Sequence, residues 1–261
     1  MERYAITFGE VAIIHTGSTE LGTRNEYGFT IEELVEIKNR LNLKKENACE
    51  LIDLSQQLPE EIKEKNKAAV LVIRNGVNIL LDRKKAANKM LKEQQGLEYD
   101  KKYYESRFSK TLNKRARYNI VFGEENIEPS EDFKIFSVKS FNDLKYLKKL
   151  RRRLKTYFGE KAKKLNAEGN YYFHDKSGIG FHGDAERKIV ICVSLGNSST
   201  LRYCWRKPGA STLFGKEIDI KLEHGDIYIM SEKATGYDWK MRSKYRLVHA
   251  AGHIKYLTHK I

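Results

Sequence analysis

Hydrophobic positions change period along this chain, and the change near residue 170 organises the reading. From Phe141 to Phe158 they recur every three to four residues, at Phe141, Leu144, Leu147, Leu150, Leu154 and Phe158. Lys145, Lys148, Lys149, Arg152 and Lys155 fill the opposite side, and Ser140 stands at the N-cap position. This is the period of a basic amphipathic helix with one face against a sheet. Thr30 and Glu33 fit a capping box, which predicts a second helix to about Arg40. Asn47 offers a capping signal before ACELIDLSQQL, and residues 83–97 are polar and helix-prone. In residues 68–82, AAVLVIRNGVNILLD, two β-rich runs flank Asn75-Gly76, the preferred pair of a type I′ turn, so a hairpin is expected.

Beyond residue 170 the pattern shortens to strands: 188–196, 201–207, 224–230, 244–252 and 253–261. Many short strands with glycine turns argue for a sandwich or jelly roll. The acidic, turn-rich stretch 123–132 is the best candidate boundary. The expected fold class is α+β: an N-terminal α/β region over 1–125, then flanking helices and a double-stranded β-helix (jelly roll) core within 130–261.

Composition narrows the class. With 40% hydrophobic and 32% charged residues among 261, the chain is globular rather than disordered. No apolar run is long enough to cross a bilayer, and the N-terminus lacks the apolar core of a signal peptide. Cys49, Cys192 and Cys204 have no CxxC spacing and read as reduced thiols in a cytoplasmic protein. The net charge is +14, and two stretches account for all of it. Residues 101–120 carry seven Lys/Arg against one Glu, and residues 141–165 carry ten against two acids. Such concentration suggests a polyanionic partner, nucleic acid first, although a solvated lysine-rich face has the same signature. In 101–118 tyrosine and phenylalanine alternate with Lys and Arg, a pattern suited to stacking bases and holding phosphates, or else to an amphipathic helix.

The candidate chemistry centres on Gly169–Arg187. His182-Gly183-Asp184 is a His-x-Asp pair, and on a strand residues two apart share a face. An imidazole and a carboxylate so placed are two thirds of the facial triad of non-haem iron(II) oxygenases. The third ligand must be another histidine. It has to be brought in from elsewhere in the chain; the isolated His15 reads as structural.

An ordered set of pieces resembles the AlkB-like branch of iron(II)/2-oxoglutarate dioxygenases. Asn170-Tyr171-Tyr172 is similar to the family's N-x-Y, and His182-Gly183-Asp184-Ala185-Glu186 to its H-x-D-x-E. Val193-Ser194-Leu195-Gly196, Gly225-Asp226-Ile227-Tyr228-Ile229-Met230 and Leu257-Thr258-His259-Lys260 resemble the later strands. The resemblance covers about 165–261. It implies iron(II) held by His182, Asp184 and a downstream histidine, His249 in YRLVHAAG first with His253 and His259 as alternatives and His224 structural, and 2-oxoglutarate held by Asn170 and Tyr172, with Glu186 supporting the ligands. Where the family ends on two arginines, this chain offers Lys255 and Lys260, with Arg246 in reserve. A lysine neutralises a carboxylate without the planar fork of arginine. The expected activity is oxidative demethylation or hydroxylation of nucleic acid or nucleobases. A protein or small-molecule hydroxylase, or a silent jelly-roll binding module, are the alternatives.

Overall fold

The computed structural model describes residues 2–14, 18–105, 108–130 and 136–258. The chain opens with β1 (Arg3–Gly9) and the short pair β2 (Val11–Ala12) and β3 (Leu21–Gly22). Helix α1 (Ile31–Lys44) follows its expected capping box: Glu33 N–H donates to Thr30 Oγ1, and Thr30 N–H donates to the Glu33 carboxylate. The Asn47 signal does not start a helix. Asn47 takes a positive φ of 56° and turns the chain into β4 (Cys49–Asp53), which leads to the single turn α2 (Glu60–Lys63).

The expected 68–82 hairpin is replaced by strand and helix. β5 (Ala69–Ile73) is buried at every position, and Asn75 takes the left-handed conformation a type I′ turn needs. Yet Gly76 then opens α3 (Gly76–Leu80), because Val77 and Leu80, three apart, both reach the core. α4 (Ala86–Gln95) lies within the helix-prone stretch. The basic-aromatic segment is not a helix; it forms an exposed hairpin of β6 (Lys102–Glu105) and β7 (Lys110–Asn113), followed by β8 (Tyr118–Gly123) and β9 (Val138–Ser140). Ser140 caps a tight turn over Phe141–Asp143, and α5 (Lys145–Phe158) begins two residues later. Its first amides, on Tyr146 and Leu147, donate to the Glu93 carboxylate of α4 at 2.7 and 3.2 Å, an anion at the positive end of a helix.

The remainder is β10 (Asn166–Tyr172), β11 (Gly178–His182), β12 (Ile191–Gly196), β13 (Ser199–Arg206), β14 (Leu213–Leu222), β15 (Ile227–Met230), β16 (Arg246–Gly252) and the short helix α6 (Ile254–Leu257). A strand was expected over 253–261; instead His253 caps α6 by accepting Lys255 N–H.

The result is a mixed α+β fold, largely β. One eight-stranded sheet runs β4-β5-β15-β12-β1-β10-β8-β9, and a four-stranded antiparallel sheet runs β11-β16-β13-β14. The N-terminal strand β1 lies between β10 and β12, in register from Arg3 opposite Tyr172 and Gly196. The boundary expected at 123–132 therefore does not divide two units: strands from 1–125 and from 130–261 interleave in one sheet. Alternation sorts its faces. Tyr4, Ile6, Phe8, Ile191, Val193 and Leu195 pack under α1, α4 and α5. Arg3, Ala5, Thr7, Cys192, Ser194, Glu168, Asn170 and Tyr172 point the other way, into a cleft facing the four-stranded sheet. Toward β5 and β15 that intersheet space closes into a second apolar core around Trp205, Tyr203, Val70, Val72 and Leu247. No helix among the described residues is long and apolar enough to cross a membrane.

A fragment spanning 130–261 should fail to fold, because it lacks β1 and β5 and leaves β10, β12 and β15 with unpaired edges. Far-ultraviolet circular dichroism and amide dispersion check this; a cooperative, dispersed fragment would show that the two halves are separable.

Candidate metal centre

The four-stranded sheet brings the two histidines face to face. His182 at the end of β11 is the cross-strand partner of His249 on β16, and Tyr203 of β13 continues the row. The imidazole centroids are 4.5 Å apart at 60°. Asp184 lies two residues past His182, in the turn beyond the strand, and still comes alongside. Its Oδ1 is 3.6 Å from His182 Nε2 and 3.8 Å from His249 Nε2. Ligand atoms of the three residues all lie within 4.8 Å of one another.

Glycine makes this approach possible. A Cβ on Gly183 would stand 2.2 Å from the Gly236 carbonyl and 2.8 Å from Trp239. Asp184 N–H donates to the Thr235 carbonyl at 2.9 Å, so the 235–236 turn holds the His-x-Asp backbone in place. Gly236 itself has φ +69°, and its own Cβ would meet the Leu247 carbonyl at 2.7 Å.

Both rings are held neutral. Burial pulls His182 below its usual value against the opposing pull of Asp184, and pulls His249 well below. His182 Nδ1 lies 2.8 Å from the Gly180 carbonyl, which assigns the proton to Nδ1 and leaves the Nε2 lone pair facing Asp184. His249 Nδ1 is buried with no hydrogen-bond partner among the described residues. Burial also raises Asp184, opposed by Arg187. Two imidazole nitrogens and a carboxylate oxygen converging on one point repel one another unless a cation stands between them. The donor set therefore fits a divalent metal ion of the type bound by nitrogen and oxygen together.

A buried ionic network steadies the carboxylate. Arg187, 3% exposed, donates from Nη2 to Glu168 and Glu186 at 2.7 Å each, and its Nε lies 3.8 Å from Asp184 Oδ2. Burial alone would lower Arg187, but Glu168, Asp184 and Glu186 hold it well above its usual value. Glu186 thus meets Arg187, and Glu168 additionally accepts Ile13 N–H at 2.6 Å.

The cleft of about 580 Å³ includes Asn170 and Tyr172 along with the triad. Asn170 Oδ1 accepts from Arg117 Nε and Asn119 Nδ2, both at 2.6 Å. The carboxamide nitrogen is then the end left for a ligand. The Tyr172 ring carries the Arg3 guanidinium at 4.4 Å. Arg3 Nη2 donates to the Ser177 carbonyl at 3.2 Å, while its buried Nε has no partner among the described residues. Lys255 does not reach this cleft: it is exposed on α6, with its ammonium over the Tyr256 ring. Lys260 and His259 lie outside the described residues, as does His15. Arg246 is spent on the Lys207 and Ala210 carbonyls. His253 caps α6, and His224 is structural, accepting Gly196 N–H and facing Asn88. Arg187 meets Glu186 as its neighbour in sequence allows, while Arg3 and Arg117 carry no local sign of their place in the cleft. The nearest thing to a signal is a charge on the polar side of an alternating strand, as in Arg3-Ala5-Thr7.

Fold and site together define an α+β protein with a His/Asp/His cluster in a cleft between two sheets. No family model matches the chain. It is 37% identical over 258 residues to the uncharacterized protein R156 of Acanthamoeba polyphaga mimivirus, covering 98% of each chain, and it belongs to the same family as that protein.

Arg187→Met should cost about 3–5 kcal/mol, since it leaves Glu168, Glu186 and Asp184 buried without their cation. Urea unfolding of the two proteins measures this, and a loss under about 1 kcal/mol would contradict it. Gly183→Ala should cost about 1–3 kcal/mol by overpacking against Gly236 and Trp239, with metal affinity falling in parallel.

Proposed function

We propose that the chain is an iron(II)- and 2-oxoglutarate-dependent dioxygenase of the AlkB-like branch, built on a double-stranded β-helix. Its proposed reaction is oxidation of nucleic acid or nucleobases, by demethylation or hydroxylation. One observation carries the reading: His182, Asp184 and His249 converge in a cleft that also holds an arginine, Arg3, with no counter-ion among the described residues. Two facing layers, antiparallel except for the β8–β9 pair, with the cluster on the β11–β16 side of the smaller one, support the β-helix.

Bound iron(II), together with 2-oxoglutarate and dioxygen, would supply the oxidising power needed at a C–H bond. The chain's own residues do the rest. His182 and His249 present neutral lone pairs, and Asp184 presents the charge. Arg3 offers its unused donor to the far carboxylate of the co-substrate, taking the part expected of Lys255 and Lys260. From His249 along β16 to Ala251 is about 7 Å by strand rise, and the Arg3 guanidinium sits beside the next residue, Gly252. That separation suits a short dicarboxylate anchored at both ends. The Asn170 amide and the Tyr172 hydroxyl orient the ligand between them. Ile179, Leu201 and Met230 line the cleft with apolar surface that excludes water.

Of the two basic clusters, the one at 101–120 stands beside the cleft. The cluster at 141–165 includes the exposed face of α5, on the far side of the eight-stranded sheet. A nucleic acid reaching the cluster of ligands therefore meets the hairpin first, and α5 contributes only through a longer wrap. The three cysteines are free and buried, in keeping with a reducing cytoplasm in which ferrous iron persists.

Purified protein with iron(II), 2-oxoglutarate and methylated or plain DNA and RNA should release succinate, and His249→Ala should abolish it. Absence of succinate with every nucleic acid offered would overturn the reading. Arg3→Met should raise the KM for 2-oxoglutarate about tenfold or more, the loss of one charge-assisted contact, while iron affinity is unchanged.

A further inference from the structure

A second cavity, of about 590 Å³, adjoins the metal cleft and plays no part in the proposed dioxygenase chemistry. The two share Ile14 and Arg117 as walls. Its other described walls include Tyr103 and Leu112 of the β6–β7 hairpin, Lys114 and Arg115 beyond it, and Asn119 of β8. Three of these residues are cationic, and no carboxylate lines the cavity among the described residues.

Lys114 is the informative one. Its Nζ is shut off from solvent and has no hydrogen-bond partner among the described residues. The acid that acts on it, Asp100, directs both oxygens to Ser137, at 2.7 and 2.8 Å. Burial draws the Lys114 ammonium down to about 8. A desolvated cation without a counter-ion is costly to the fold. Other atoms of Lys114 line the cavity while Nζ is turned away from it, and an anion entering the cavity would relieve that cost once the flexible side chain swings its ammonium round to meet it. Arg117 stands in the shared wall with its Nε fixed on Asn170, so its orientation is set before any ligand arrives. A phosphate has only acceptor oxygens and more than one charge available to Lys and Arg donors.

We propose that this second cavity binds the phosphate of a nucleotide whose base or sugar extends past Arg117 toward His182, Asp184 and His249. The site then recognises phosphorylated nucleotide units and discriminates against free nucleosides. The direction of the bound molecule rests on the dioxygenase reading; the phosphate pocket itself does not.

Titration calorimetry of the full chain with adenosine 5′-phosphate and with adenosine tests this. The phosphate-bearing compound should bind at least tenfold more tightly, and added salt should narrow the gap. Lys114→Met should erase the preference and Lys114→Arg should keep most of it, both with unchanged circular dichroism and unchanged affinity for iron(II). Equal binding of the two compounds, no binding of either, or a preference that survives Lys114→Met would each overturn the proposal. A short single-stranded oligonucleotide separates the sources: tighter binding than the mononucleotide marks a chain phosphodiester, and equal binding marks a free nucleotide. Phosphate selectivity in a protein that binds no iron would uphold the cavity and dismiss the dioxygenase reading.

Discussion

Two neutral imidazoles and a carboxylate oxygen, largely shielded from water and aimed at one point, repel one another in the absence of a cation. Much of the surrounding structure exists to hold them there. Cross-strand pairing of β11 with β16 sets His182 against His249. The Gly183 and Gly236 backbones press together and bring Asp184 alongside. Arg187, tied to Glu168 and Glu186, braces the carboxylate from behind. Each device has a cost: a positive φ, a buried charge, a ring nitrogen without a partner among the described residues. Such costs gather where geometry matters more than stability.

The N-terminal strand is the second dependence. β1 lies inside the eight-stranded sheet, so its alternation serves two purposes. Tyr4, Ile6 and Phe8 anchor the helices, while Arg3, Ala5 and Thr7 floor the cleft. Residues from the two ends of the chain thus meet in one site, with Arg3 against Tyr172 and Ser177. The helical layer on the opposite face supports the sheet and carries the α5 basic surface away from the ligand cluster.

Much of this was legible in the residues. The α1 capping box and the three-to-four period of α5 are local signals, and both elements form. The His-x-Asp pair was also readable from its two-residue spacing, and the family pattern, not spacing alone, put the third histidine downstream at His249, which does join the cluster. What failed was non-local. Asn75-Gly76 has the chemistry of a hairpin turn, yet Val77 and Leu80 find a better place in the core as a helix. Lys255 looked like an anion anchor only while 253–261 was read as a strand. Arg3 was passed over because nothing near it in sequence says that β1 inserts between β10 and β12. The 123–132 stretch has the composition of a linker, but linker chemistry says nothing of which strands pair across it.

The most direct test is anomalous diffraction at the iron edge from crystals grown anaerobically with iron(II). The account predicts one strong peak, bounded by His182 Nε2, His249 Nε2 and an Asp184 carboxylate oxygen, and no peak in crystals of Asp184→Ala. A full-occupancy peak elsewhere, or none in the cleft at saturating iron, would contradict it.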